Sequence, residues 1–68
     1  MANREVLNER HVSEEYALSV PYLRRARRER RGPRFLKIGK LVRYRRSDVE
    51  AFLAANAVET HPKITPNG

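Results

Sequence analysis

The sequence predicts a small α+β domain, mainly helical, and three observations carry that prediction. Two short helix signatures are joined by only Ala17-Leu18-Ser19. The hydrophobic period then changes from helical to alternating between Phe35 and Arg45. A third helix signature follows, opened by the capping-box pattern Ser47-Asp48-Val49-Glu50.

Residues 1–6 read as a polar lead-in that frays. The first helix is expected over Glu9 to Tyr16. Asn8 caps it, Leu7 packs on its first turn, and Glu9 suits the positive end of its dipole. Val12 and Tyr16 are four apart and share its buried side. The stretch Ser19 to Phe35 organises the rest. Ser19 is a good N-cap, and Pro21 fits a first turn whose N–H groups lack partners anyway. Gly32-Pro33 is expected to end this second helix, with Gly32 taking a left-handed turn. At about 100° per residue, Val20, Leu23 and Ala26 face inward and Tyr22, Arg25 and Arg28 face outward.

Between Phe35 and Arg45 a three-residue loop Gly39-Lys40-Leu41 pairs Ile38 with Val42 and Leu36 with Tyr44. That puts the apolar side chains on one face and Lys37, Arg43 and Arg45 on the other. Leu41 then sits at an exposed tip. The third helix is expected from about Asp48 to Ala55, capped by Ser47 and closed by a left-handed Asn56. The expected core is Leu7, Val12, Tyr16, Leu18, Val20, Leu23, Leu36, Ile38, Val42, Tyr44, Val49, Phe52 and Leu53. Two short helices at a tight turn, a hairpin and a closing helix make a winged helix-turn-helix over residues 7–56. Residues 57–68 read as a disordered tail.

Charge narrows the function. Fifteen Lys+Arg against eight Asp+Glu give a net charge of +7, and six arginines fall between Arg24 and Arg31. Like charges three and four apart on a helix are destabilising, so a polyanion is the natural partner. A membrane surface would need a broader apolar face than Val20, Leu23 and Ala26 offer. There is no cysteine, and His11 and His61 lack ligand spacing, so no metal site or cofactor is expected. No apolar run approaches the ~20 residues of a membrane span. No signal peptide is visible, so a cytoplasmic setting is expected. No nucleophile–base pair, paired acids or phosphate loop stands out, so an enzyme is not expected. Double-stranded DNA is the expected partner.

The run GPRFLKIGKLVRYRRSDVEAFL, Gly32 to Leu53, resembles the small excisionase-like, MerR-related winged-helix domains, and with the first helix the resemblance covers about Leu7 to Ala55. It departs from that pattern at Ala17, where a glycine is frequent, at Ala26, where a Trp is frequent, and at Leu41, where the loop is often basic. MerR regulators continue into a long dimerisation helix and a sensor region; this chain ends soon after the third helix, so an effector-responsive regulator is not expected. The resemblance implies a recombination directionality factor of a phage or mobile element, working in a bacterial host cell. Such a protein binds repeated sites beside an attachment site as a row of copies, bends the DNA and directs an integrase toward excision. The alternative is a small transcriptional repressor using the same domain on a promoter. A third possibility is an adaptor whose tail (Val58 to Gly68) or hairpin recruits an integrase.

The expected contacts follow. Tyr22 and Arg25 are placed for base edges or nearby phosphates in a major groove. Arg24 and Arg28 hold phosphates. Lys40 and Arg43 set the wing on the backbone or in the adjacent minor groove. Arg45 and Arg46 read equally as phosphate clamps or as solvated charges. Arg27 and Arg30 lean toward the protein, as partners for Glu14 or Glu15. Leu41 reads as a neutral accident, as a minor-groove contact or, the reading taken here, as part of the contact between neighbouring copies.

Overall fold

The computed structural model describes residues 4–58. The elements run β1 (Val6–Leu7), α1 (Glu9–Tyr16), α2 (Val20–Arg28), β2 (Leu36–Ile38), β3 (Leu41–Arg45) and α3 (Arg46–Ala55). The sheet is antiparallel in the order β1-β3-β2. Every element except β2 sends one side chain into a common core: Leu7, Val12, Leu23, Tyr44 and Val49, each at most 1% exposed. Ala26 is equally buried. The hairpin therefore projects from the core on β3 alone. No helix among the described residues is long and apolar enough to cross a membrane. The expectation for the tail from Glu59 onward lies outside the described residues.

The N-terminal caps of α1 and α2 form as expected. Asn8 Oδ1 accepts from His11 N–H at 2.8 Å, and Ser19 Oγ accepts from Tyr22 N–H at 3.1 Å. Ala17 supplies the helix-turn-helix corner in the left-handed region, φ 59, donating its N–H to Ser13 O at 3.0 Å. For a residue with a Cβ that conformation costs about 1–2 kcal/mol.

The hairpin differs from expectation. The loop has two residues, Gly39-Lys40, and the pairs are Leu36 with Arg43, Lys37 with Val42 and Ile38 with Leu41. Apolar and cationic side chains are thus mixed on both faces. Ile38 is 55% exposed rather than core, beside Leu41 at 52%. The cause is the turn. Gly39 has φ 61 and Lys40 does not share it, the pattern of a two-residue hairpin with glycine first. Apolar alternation holds a register only where one face is buried, and β2 reaches no core.

α3 also begins differently. It starts at Arg46, with Arg45 as an N-cap that makes no side-chain hydrogen bond, so the capping box at Ser47 does not form. The segment before β1 supplies the cap instead. Arg46 N–H donates to Glu5 O at 2.7 Å, and the Ser47 hydroxyl donates to the Glu5 carboxylate at 3.1 Å. Glu50 accepts from the Tyr16 hydroxyl at 2.9 Å. Val6, placed in the fraying lead-in, pairs with Arg45 in the sheet. Asn56 is not left-handed (φ −100); its side-chain amide donates to Phe52 O at 2.8 Å.

The end of α2 is corrected as well. The helix stops at Arg28 with Glu29 as C-cap, and the left-handed residue is Arg30, φ 60, not Gly32. Arg30 N–H donates to Arg27 O at 3.2 Å and Arg31 N–H to Ala26 O at 2.9 Å, which together make a Schellman ending. Gly32 is required for packing: a Cβ there would lie 2.7 Å from the Ala26 Cβ. That contact also explains why a small residue stands at position 26.

Candidate nucleic-acid interface

The arginines divide by partner. Glu9, at the start of α1, receives Arg24 at 2.6 Å and Arg27 at 3.6 Å from α2. The Arg24 guanidinium holds the Glu9 carboxyl below its ordinary pKa, against the opposing effect of partial burial. Arg27 also donates to the Tyr44 hydroxyl at 3.0 Å and lies over the Phe35 ring at 5.8 Å. It therefore joins α1, α2, β3 and the loop before β2, and it does not reach Glu14 or Glu15. Glu14 pairs with Arg10 on its own helix, and Glu15 receives Arg46 at 2.7 Å. Arg46 further donates to Arg4 O at 2.7 Å and to the Tyr16 hydroxyl at 3.0 Å, so it ties α3 to α1 rather than standing free as a phosphate clamp. Its guanidinium lowers the Glu15 pKa, as Arg31, 2.6 Å away, lowers that of Glu29.

A second set makes no ion pair among the described residues: Arg25, Arg28, Arg30, Arg34, Lys37, Lys40, Arg43 and Arg45. Arg25 and Arg28 stand exposed on α2 while Leu23 and Ala26 bury its other side. Lys40 is exposed in the hairpin turn, and Arg45 is exposed at the strand-to-helix junction. Arg43 is half-buried and donates to its neighbour's carbonyl, Val42 O, at 2.8 Å. Arg30, expected to lean inward, is exposed.

Two concave regions flank Arg27. A groove of about 560 Å³ lies between the helices and the hairpin and brings together Arg10, Arg24, Lys40 and Arg43. Three of the expected contact residues thus meet there. The pairing of Arg24 with Glu9 is exposed and weak in water, so a phosphate entering this groove competes for the same guanidinium. A second depression of about 570 Å³ lies at the C-terminal end of α2, lined by Arg28, Arg30 and Arg34 above Pro33 and Phe35.

Tyr22 departs from its expected position. It is half-buried and packs on the core cluster rather than facing fully outward. On a helical wheel it lies only about 40° from Ala26, four residues on, and falls within the buried arc. The sequence reading missed Arg34 and the outward role of Arg30. No local signal marked Arg30, because the left-handed residue at the helix end is an arginine and not the glycine two positions on.

A short helix pair at a left-handed corner, a projecting hairpin on a three-stranded sheet and a packed third helix define a winged helix-turn-helix domain. A family model described as a helix-turn-helix domain matches residues 6–57, and the chain belongs to that family, a DNA-binding domain found in excisionase-like proteins. Comparison with curated proteins and with solved structures gives no match.

Proposed function

We infer that the protein is an architectural, sequence-specific DNA-binding factor of the excisionase type, acting on double-stranded DNA without catalysing a reaction. The observation that carries this reading is the division of cations. Carboxylates tie Arg24, Arg27 and Arg46 into the fold, while Arg25 and Arg28 stand on the free side of α2 and Lys40 at the hairpin turn. In this reading α2 enters a major groove, with Arg25 at base edges and Arg28 on a phosphate. Lys40, Arg43 and Arg45 place the hairpin against the neighbouring backbone. Tyr22, half-buried against the core, adds at most an edge contact in this reading.

So small a domain makes few contacts, and specific affinity requires several copies on tandem sites. The exposed pair Ile38 and Leu41 supports a contact between neighbours, since two large apolar side chains stand side by side in water at the hairpin end. Bending of the bound DNA and guidance of an integrase toward excision complete the reading. The experiment is selection of bound fragments from the source genome at near-physiological salt. Tandem direct repeats beside an integrase gene are expected. A lone or palindromic site over a promoter would replace this reading with that of a repressor.

A further inference from the structure

The loop between α2 and β2 holds a conformation its sequence should avoid. Arg30 is left-handed at the helix end, the position where glycine is favoured. The nearby glycine is committed elsewhere, because Gly32 must fit against Ala26. The Arg30 side chain is exposed and makes no ion pair among the described residues, so no such contact offsets the strain. The Schellman hydrogen bonds use only the Arg30 backbone, which a glycine would supply without strain, so an arginine at this position points to a role outside the fold.

Arg30 is not alone. Arg28 and Arg34 line the same depression, and both are exposed without a carboxylate partner among the described residues. The adjacent acid, Glu29, is engaged by Arg31 at 2.6 Å. Three like charges without a carboxylate partner, with Arg27 beside them, repel around one concavity until an anion lies between them. The floor is apolar: Pro33 is buried, and Phe35, 38% exposed, presents part of its ring beside Arg27. A cationic rim over an apolar floor suits a sugar–phosphate backbone, with deoxyribose on the floor and phosphate at the rim.

We propose that Arg28, Arg30 and Arg34 form a second backbone clamp, at the C-terminal end of α2, that grips phosphodiesters of the duplex flanking the groove α2 enters. The clamp rests on the DNA-binding reading and extends its footprint beyond the base-reading face and the hairpin.

The test is duplex binding of the full chain as a function of salt, together with thermal melting, for the wild type, Arg30→Gly and Arg34→Gln. Arg30→Gly should raise Tm, because the strain is released, yet bind duplex several-fold more weakly. Its slope of log K against log salt should shrink by about 0.9, the loss of one phosphate. Arg34→Gln should show the same binding loss without the rise in Tm. Both losses should be equal on cognate and scrambled duplexes, and a loss confined to one sequence would overturn the backbone assignment. Wild-type affinity and slope in both variants would remove the clamp while leaving DNA binding intact. Failure of the wild type itself to bind any duplex at low salt would remove both.

Discussion

Two groups of arginines on and just after α2 are used in opposite ways. Arg24 and Arg27 turn back to Glu9, and Arg27 adds the buried Tyr44 hydroxyl and the Phe35 ring. Arg28, the last residue of the helix, and Arg30, just beyond its C-cap, have no carboxylate partner among the described residues and stand in solvent with Arg34. The first group has its charge matched by the fold, Arg27 more firmly than the exposed Arg24, and the second presents it. In a chain of net charge +7, the number of arginines therefore says little about the binding surface. What decides is whether a carboxylate or a buried hydroxyl lies within reach.

The strongest way to break this comparison is Arg27→Met. It keeps the aliphatic stem but leaves the Tyr44 hydroxyl, in a residue 1% exposed, without its partner. A loss of about 1–3 kcal/mol is expected. Thermal melting should show it, at roughly 4–8 °C per kcal/mol for a domain this small. The salt slope of duplex binding should not move. A reduced slope with unchanged Tm would place Arg27 with the presenting group.

Arg25→Ala and Lys40→Ala sharpen the presenting group itself. Arg25→Ala should cost up to about 1–3 kcal/mol on the preferred sequence and much less on a scrambled one. Lys40→Ala should weaken every duplex alike and lower the salt slope by about one unit. Competition binding on the two duplexes separates these outcomes, and equal behaviour of the two variants would erase the distinction.

A smaller effect is expected at the helix-turn-helix corner. Ala17 holds φ 59 with a Cβ, so Ala17→Gly should stabilise by about 0.4–1 kcal/mol. Denaturant unfolding should show a higher midpoint with an unchanged slope. Destabilisation would mean that the corner is held by something other than its backbone conformation.

The mildest test is acid. Glu9 and Glu15 carry pKa values lowered by Arg24 and Arg46, so the folded state holds them ionised more firmly than the unfolded state does. Their stabilisation is complete above the unfolded carboxylate value, about 4.3, and is lost as pH falls through the lower folded values. Tm should thus be flat down to about pH 5 and fall below it. Glu9→Gln should flatten that fall, and an unchanged profile in the variant would remove Glu9 from the paired group.

Much of the fold was legible along the chain, and the reasons are local. α1 runs over Glu9–Tyr16 as its cap and apolar spacing predict, and Asn8 and Ser19 cap the residues three positions on. Such contacts span a single turn, so neighbouring residue types are enough to set them. The candidate interface was legible in part. Arg25 and Arg28 face outward as helical periodicity demands, whereas Tyr22 turns inward because Ala26 opens the buried arc beside it.

By itself, then, the sequence determined the first two helices with their N-terminal caps, the presence of a hairpin and of a third helix, and the excess of positive charge, because each depends on residues within a few positions of one another. Tertiary structure alone decided the rest. The start of α3 depends on Glu5, far back in the chain, which supplies its backbone carbonyl and carboxylate to Arg46 and Ser47. The hairpin register follows a two-residue turn because β2 sends no side chain into the core that would have enforced its apolar pattern. Which arginines bind the fold and which are left for DNA depends on long-range neighbours such as Glu9, Glu15 and Tyr44, and charge at a position in the chain carries no record of what folding brings beside it.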